Sequence, residues 1–324
     1  MTKSCAALLS LLMAASSLFY AQAQVNDYSG RVSPAQVNRE LPRTETISYK
    51  TEAEAMAAGR GASIYLQPLD GAWESAPGAN GAKTFTRTYK VPFDWADREY
   101  FLRITSVNGP YSVTANGKDA GYNQSGRTAA EFDLTPFSKE GLNQLEITVY
   151  GNAATRVLED YPHDAAPAIT GEAFIVSQPR IRVRDYAARL EGPYENGSAN
   201  LTVSVFVKSH YLNEKAYTIY CTVFDPSGNK IIEESKKMTV EMRGEDSLYF
   251  HTLITEPRLW NPDSPDMHTV LFRMQVEGRN TEFVAYRTGL REVSMDGIPG
   301  GEQEDGTLYV NREKVGRLTA AEYR

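Results

Sequence analysis

Apolar and polar residues alternate with a period of two through most of this chain. Leu145, Ile147 and Val149, for example, alternate with Glu146 and Thr148. A period of two places successive side chains on opposite faces of a strand, so each such run predicts a half-buried β-strand. Comparable runs occupy residues 84–91, 99–106, 111–115, 174–177, 201–207, 217–224, 248–255, 269–276 and 283–293. The pattern predicts an all-β protein.

One short helix and one tight turn stand out against this pattern. Thr51 and Glu54 form a capping box, in which the hydroxyl and the carboxylate each bond a free backbone amide. The helix is predicted to continue through residues 53–58 and to end at Gly59 in the left-handed conformation. Asn116-Gly117, between two short strands, predicts a two-residue hairpin turn.

Strand and turn spacing divides the chain into two β-domains. Short strands over residues 63–179 favour a β-sandwich or jelly roll. About seven strands over residues 180–294 fit an immunoglobulin-like sandwich, although the cysteine pair of antibody domains is missing. Residues 24–62 are predicted to form an N-terminal arm that carries the helix. Residues 295–324 begin as a polar, glycine-rich linker.

The first 23 residues have the features of an export signal. Lys3 supplies a positive start, residues 8–20 are apolar, and Ala21-Gln-Ala23 matches a cleavage pattern. The mature chain is expected to start at Gln24 in the periplasm or outside the cell. The alternative is an uncleaved anchor. No later run is long and apolar enough to cross a membrane.

Charge and composition exclude several classes of function. The net charge of −7 and the absence of a basic stripe argue against binding to nucleic acid. Glu159, Asp160, His163 and Asp164 are close in sequence, but their spacing matches no metal cage, so neither a metal nor another cofactor is expected. Cys221 is the one cysteine beyond the signal, and its place on an apolar strand face predicts a buried core thiol.

Five stretches, taken in order, resemble the N-terminal, non-barrel part of family-2 glycoside hydrolases of the β-galactosidase type. They are residues 37–55, 69–73 (LDGAW), 116–136 (NGKDAGYNQS to AEFDLTP), 259–265 (LWNPDSP) and 305–318. The resemblance covers most of the chain after the signal. It implies a jelly-roll, galactose-binding-like domain at residues 63–179, an immunoglobulin-like domain, and a lead-in to a catalytic barrel.

The resemblance also implies where the chemistry of the family resides. Family members use two glutamates at strand ends of an (α/β)8 barrel, about 5 Å apart in retaining enzymes. Such a barrel needs about 250 residues, and residues 295–324 look like its truncated lead-in only. No catalytic residue is therefore assigned to this chain. Trp73 and Trp260, which lie in matching stretches, are expected to be packing residues, with sugar platforms as the alternative.

Candidate sugar contacts follow from the same resemblance. A tryptophan of the family falls on Asp164, and its Arg-Asp pair falls on Gly171-Glu172. Glu172, with His163 and Asp164 in the preceding loop, is therefore predicted to bind sugar. Residues 76–83 pass almost directly between two strands, without the insertion through which a family loop reaches the active site.

Three functional hypotheses remain open. The first is an exported, carbohydrate-associated protein that is equivalent to the accessory half of a β-galactosidase and does not hydrolyse by itself. The second is a fragment or split-gene half that needs a separate barrel, with residues 308–315 left as an unpaired strand edge. The third is a protein–protein scaffold. The expected partners are galactoside-type glycans, a separate catalytic barrel or a second copy of the chain.

Overall fold

A computed structural model describes residues 36–57, 59–151, 166–192, 194, 196–296 and 305–319. These residues fall into two compact units. The first comprises residues up to Pro42, Gln67–Ala96 and Tyr100–Val176, and the second comprises Arg43–Leu66, Asp97–Glu99 and the residues from Ser177 onward. His163 and Asp164 lie outside the described residues, as does the predicted export signal.

The first unit is a jelly-roll-type sandwich of two sheets. Its strands are β1 (Gln36–Val37), β2 (Leu66–Pro68), β3 (Glu74–Pro77), β4 (Lys83–Val91), β5 (Arg98–Ile104), β6 (Tyr111–Ala115), β7 (Lys118–Asn123), β8 (Ala130–Asp133), β9 (Gly141–Val149) and β10 (Ala173–Pro179). One sheet has the order β1-β7-β6-β9-β4-β3 and the other has the order β2-β10-β5-β8. Strands β2, β5 and β10 each have residues in both units.

Alternation along the strands builds the core of this unit. Leu145, Ile147 and Val149 of β9 are completely buried, whereas their polar neighbours are partly or fully exposed. Asn116 and Gly117 join β6 to β7 with φ values of 50° and 74°. Both values are positive, as a type I′ turn requires, so the predicted hairpin is confirmed.

The second unit is an immunoglobulin-like sandwich. Its strands are β11 (Ile181–Glu191), β12 (Ser198–Ser209), β13 (Lys215–Phe224), β14 (Lys230–Val240), β15 (Glu245–Thr255), β16 (His268–Val276) and β17 (Arg279–Thr288). Sheet β11-β12-β15 packs on sheet β14-β13-β16-β17 around one continuous apolar core. Cys221 is fully buried in that core, as predicted, and burial raises the pKa of its thiol to about 12.

Helix α1 (Glu52–Met56) belongs to the second unit, and its predicted capping box is present. The Glu54 amide donates to Thr51 Oγ1, and the Thr51 amide donates to the Glu54 carboxylate. The predicted stop at Gly59 is wrong. The helix ends at Met56, and Gly59 is extended, with φ −109°, because it leads into a separate 3₁₀ turn at Arg60–Ala62.

A third small sheet closes the described chain. It contains β18 (Val293–Asp296), β19 (Asp305–Val310) and β20 (Glu313–Thr319). Strand β19 pairs with both of the others, so the expectation that residues 308–315 form an unpaired edge is wrong for β19. Asn311 fastens this sheet to its own unit, because its side-chain amide donates to the Trp260 carbonyl and its Oδ1 accepts from the Glu292 amide.

Among the described residues, no helix has the length and apolar character of a membrane span.

Candidate functional site

Three loops meet at one end of the first unit, around the predicted sugar contact. They are residues 105–110 after β5, residues 124–129 between β7 and β8, and residues 166–172 before β10. The Val107 amide donates to the Gly126 carbonyl at 2.8 Å, and Val107 also forms a bridge with Ile169. We call this end of the jelly roll the open end.

Glu172 lies at the open end with an exposed side chain and a fixed backbone. Its amide donates to Thr105 Oγ1 at 2.8 Å, and its carbonyl accepts from the Thr105 amide at 2.9 Å. Position 105 directly follows β5, so the register of that strand sets the position of the glutamate. Backbone bonding of this kind holds the Cα of Glu172 in place.

Gly171 explains why the family's arginine has no counterpart here. A Cβ on residue 171 would overlap Thr105 Oγ1 and would lie 2.7 Å from the Ser106 amide nitrogen. The Gly171 amide also donates to the Ser106 carbonyl at 3.0 Å. Because the two loops approach so closely, this position takes glycine only, and Glu172 is the single charged group of the pair.

Hydroxyl and amide groups lie on the same loops as Glu172 and Thr105. Ser106 Oγ and Thr170 Oγ1 lie 2.8 Å apart, and the Asn108 side-chain amide donates to the Ala166 carbonyl at 2.8 Å. Such groups offer both donors and acceptors to the hydroxyls of a sugar. The alternation of apolar and polar residues could not predict these contacts, because the groups lie on loops and bond residues about 60 positions away in sequence.

Two buried polar features support the open end from within the first unit. Arg103, near the end of β5, forms a 2.8 Å ion pair with Glu131 of β8, and both side chains are largely buried. Asn123, at the end of β7, is buried, and its Nδ2 donates to the Ser125 carbonyl. Within the described residues, Asn123 Oδ1 has no hydrogen-bond partner. The ion pair fixes the strands from which the first two loops emerge.

The connection between β4 and the edge strand β3 is short. Strand β3 ends at Pro77 and β4 begins at Lys83, and the Gly78 amide donates to the Ala82 carbonyl at 2.8 Å. Trp73, just before β3, is partly buried and lies 5.9 Å from the Arg87 guanidinium. Trp260, in the second unit, packs so closely against Gly289 that a Cβ there would lie 2.6 Å from its ring.

A buried carboxylate with a raised pKa lies in the second unit and is structural. Glu282 is fully buried, accepts from Ser48 Oγ, and accepts from the Val183 amide at 2.7 Å. Burial raises its pKa, and these hydrogen bonds and the Arg98 and Arg182 charges oppose that rise. We call this buried region the seam. It fastens the arm Arg43–Leu66 to the second unit and is closed to ligands.

Two family models match the chain. "Glycosyl hydrolases family 2, sugar binding domain" matches residues 15–177, and "Glycosyl hydrolases family 2" matches residues 181–291. These matches confirm the resemblance drawn from the sequence motifs.

Individual proteins give the same result at low identity. A β-galactosidase of Priestia megaterium is 20% identical over 86% of this chain and 32% of its own length. The β-galactosidase large subunit of Leuconostoc lactis is 23% identical over 73% of this chain and 35% of its own length. A solved β-glucuronidase of Bacteroides uniformis shares the fold, with a TM-score of 0.64 and 16% identity over 76% of this chain and 34% of that one. The chain thus spans about a third of the length of each of these relatives.

Proposed function

Because the chain belongs to glycosyl hydrolase family 2, we propose that it forms the sugar-binding, non-catalytic portion of a β-galactosidase-type enzyme. The observation that carries this proposal is the match of the sugar-binding model to residues 15–177, the stretch that holds the open end. A matched relative is about three times as long as the part of it that this chain covers. The rest of its length has room for the catalytic barrel that the sequence motifs predict.

The open end supplies the chemistry of recognition. The Glu172 carboxylate accepts hydrogen bonds from sugar hydroxyls, and charge-assisted bonds of this kind are the stronger ones. Ser106 and Thr170 add hydroxyls that both donate and accept. Hydrolysis requires two carboxylates on either side of the glycosidic bond, and the proposal assigns neither to this chain. The chain by itself is proposed to bind sugar without cleaving it.

The binding proposal is tested by saturation-transfer NMR on the purified chain. Methyl β-galactoside and methyl β-glucuronide serve as separate probes, because relatives of both types share the fold. Binding of one glycoside should be lost in Glu172→Ala and kept in Glu140→Ala, which removes an exposed carboxylate elsewhere in the same unit. Equal signals from Glu172→Ala and the unmodified chain would refute the assignment of Glu172.

Export is the second part of the proposal. Its support is the positive start, the short apolar run and the cleavage pattern of residues 1–23. N-terminal sequencing of protein recovered from the periplasm or the medium should read from Gln24. Recovery of the chain in the cytoplasm with Met1 intact would contradict it.

A second candidate function is a half-enzyme that works with a separately encoded barrel. The observation that favours it is that one relative is a large subunit, of which this chain covers 35%. Sequencing the gene region beyond codon 324 tests this candidate. A barrel in a separate frame, whose product co-purifies with this chain and restores galactoside hydrolysis, would support it. A barrel in the same frame would exclude it.

A further inference from the structure

One outward face of the second unit carries a row of exposed ring and apolar side chains. On β15, Tyr249 is 46% exposed, His251 is exposed and Leu253 is 60% exposed, whereas Phe250 between them is fully buried. Scattered exposed apolar residues are ordinary in soluble proteins, whereas contiguous apolar patches, when large, mark binding surfaces. With a rise of about 3.4 Å per residue, the row is about 14 Å long.

The two rings of this row are held in a fixed arrangement. Tyr249 and His251 are nearly parallel, with 14° between their planes and 6.2 Å between their centroids. Thr202, directly opposite His251 in the sheet, places its hydroxyl 3.0 Å from His251 Nδ1. A ring that is oriented before binding loses less conformational entropy when a ligand covers it.

Hydrogen-bonding groups flank the row on the neighbouring strands. Asn200 lies opposite Leu253, and its side-chain amide donates to the Tyr194 hydroxyl at 3.0 Å. Glu191 lies beside Asn200 across the β11–β12 pair. A shallow cleft of about 470 Å³ is lined by Glu191, Asn200, Thr202, His251 and Leu253. That volume is within the range of small-ligand sites, about 300–1,000 Å³.

The charges on this face favour an uncharged ligand. Arg189 and Glu191 lie 3.9 Å apart, and both are well exposed, so they offset each other. The remaining groups of the row are aromatic, amide, hydroxyl and aliphatic. A protein partner of the usual kind covers about 800 Å² with an apolar centre, whereas here every apolar side chain has polar neighbours across the sheet.

We propose that the β11-β12-β15 face is a second carbohydrate-binding surface, which holds a neutral oligosaccharide along Tyr249 and His251. The apolar C–H face of a pyranose covers the rings, and the hydroxyls bond Asn200, Thr202 and Glu191. This surface is on the second unit and does not use Glu172, so it goes beyond the sugar binding proposed for the open end. Its role is to keep a glycan chain attached while other parts of the enzyme act on it.

Affinity gel electrophoresis with soluble β-1,4-galactan tests the proposal. The unmodified chain should be retarded, and Tyr249→Ala or His251→Ala should raise the dissociation constant about threefold to tenfold each. Tyr249→Phe keeps the ring and should keep most of the binding. Met238→Ala is the matched control, because Met238 is 39% exposed on β14 of the other sheet. Retardation should not depend on salt, because a neutral ligand makes no ionic contact.

The outcomes separate this surface from the open end. In a Glu172→Ala background, which removes the contact proposed for the open end, Tyr249→Ala should weaken galactan retardation by the same factor as in the otherwise unmodified chain. The altered side chains are exposed, so melting temperatures should match that of the unmodified chain. Retardation of the Glu172→Ala chain that is unchanged by the double substitution Tyr249→Ala/His251→Ala would overturn the proposal. So would a lack of retardation of the unmodified chain, or a dimer in solution that Tyr249→Ala dissociates.

Discussion

The open end of the first unit and the seam of the second each centre on a glutamate, but the two residues have opposite environments. Glu172 is exposed, and loop backbone fixes its position through Thr105. Glu282 is fully buried, and donors from Ser48 and Val183 bond its carboxylate. Burial raises the pKa of Glu282, and the candidate for ligand contact is Glu172.

Solvent access separates a structural acid from a candidate for ligand contact in this fold. A strongly shifted pKa often marks a functional site, but buried structural networks shift pKa values as well. Access decides between the two explanations here. Glu282 is buried, so its hydrogen bonds hold the arm to the second unit, whereas the side chain of Glu172 is exposed. The comparison predicts that substitutions at the seam affect stability and that substitutions at the open end affect binding.

Removing the seam carboxylate should have the largest effect. Glu282→Ala leaves the Ser48 hydroxyl and the Val183 amide buried without an acceptor, at about 1–3 kcal/mol for each unsatisfied donor. The free energy of unfolding, measured by urea denaturation, should fall by about 3 kcal/mol. Glu172→Ala is the matched control and should lie within about 0.5 kcal/mol of the unmodified chain. Equal losses of stability in both variants would contradict the structural role assigned to Glu282.

Crowding the open end should cause the next largest loss of stability. Gly171→Ala forces a methyl group against Thr105 Oγ1 and the Ser106 amide, so the two loops must separate. Overpacking of this kind costs about 1–3 kcal/mol, and the separation should also weaken glycoside binding at Glu172. Gly59→Ala is the control, because no atom lies within 4 Å of the added Cβ. Thermal melting and the NMR binding assay measure the two consequences, and an unchanged melting curve for Gly171→Ala would contradict the packing argument.

Neutralising Glu282 should have a smaller effect that depends on pH. Burial raises the pKa of this carboxyl above its ordinary 4.5, so the folded state holds its proton more tightly than the unfolded state does. This tighter proton binding makes its full contribution to the free energy of unfolding below pH 4.5, and the contribution is lost as the pH rises through the raised pKa. Glu282→Gln carries no titrating group there.

The stability of Glu282→Gln relative to the unmodified chain should therefore increase as the pH is raised. Urea midpoints of the two proteins between about pH 4 and pH 8 measure this difference, because every other carboxyl is shared and cancels. A difference that stays constant, or that shrinks with rising pH, would contradict the assigned direction of the shift.

Much of the fold could be predicted from the sequence, because its cause is local. Alternation of apolar and polar residues predicted β6 at its observed bounds and predicted β4 and β9 within a few residues of theirs. This is possible because the burial pattern of a strand depends on residues that are adjacent in sequence. The capping box and the Asn116-Gly117 turn are likewise formed by residues close in sequence. The helix end was missed because Gly59 carries no φ preference of its own, and the following turn decided its conformation.

The seam and the contacts of the open end could not be predicted in this way. Ser48 and Glu282 are 234 positions apart, and Thr105 and Glu172 are 67 apart, so no local pattern links them. Glu282 is moreover a charged residue facing inward on a strand, where alternation expects an apolar one. Glu172 was identified only through the family resemblance, and the close approach that requires glycine at position 171 became visible only in three dimensions.

The most direct test of the central claim is the turnover of a chromogenic β-galactoside by the purified 324-residue chain. A chain that supplies sugar contacts but neither catalytic carboxylate should release no chromophore above the buffer rate, while it still binds methyl glycoside through Glu172. Steady turnover that disappears when a single carboxylate of this chain is replaced would show an active site within it and would contradict the account.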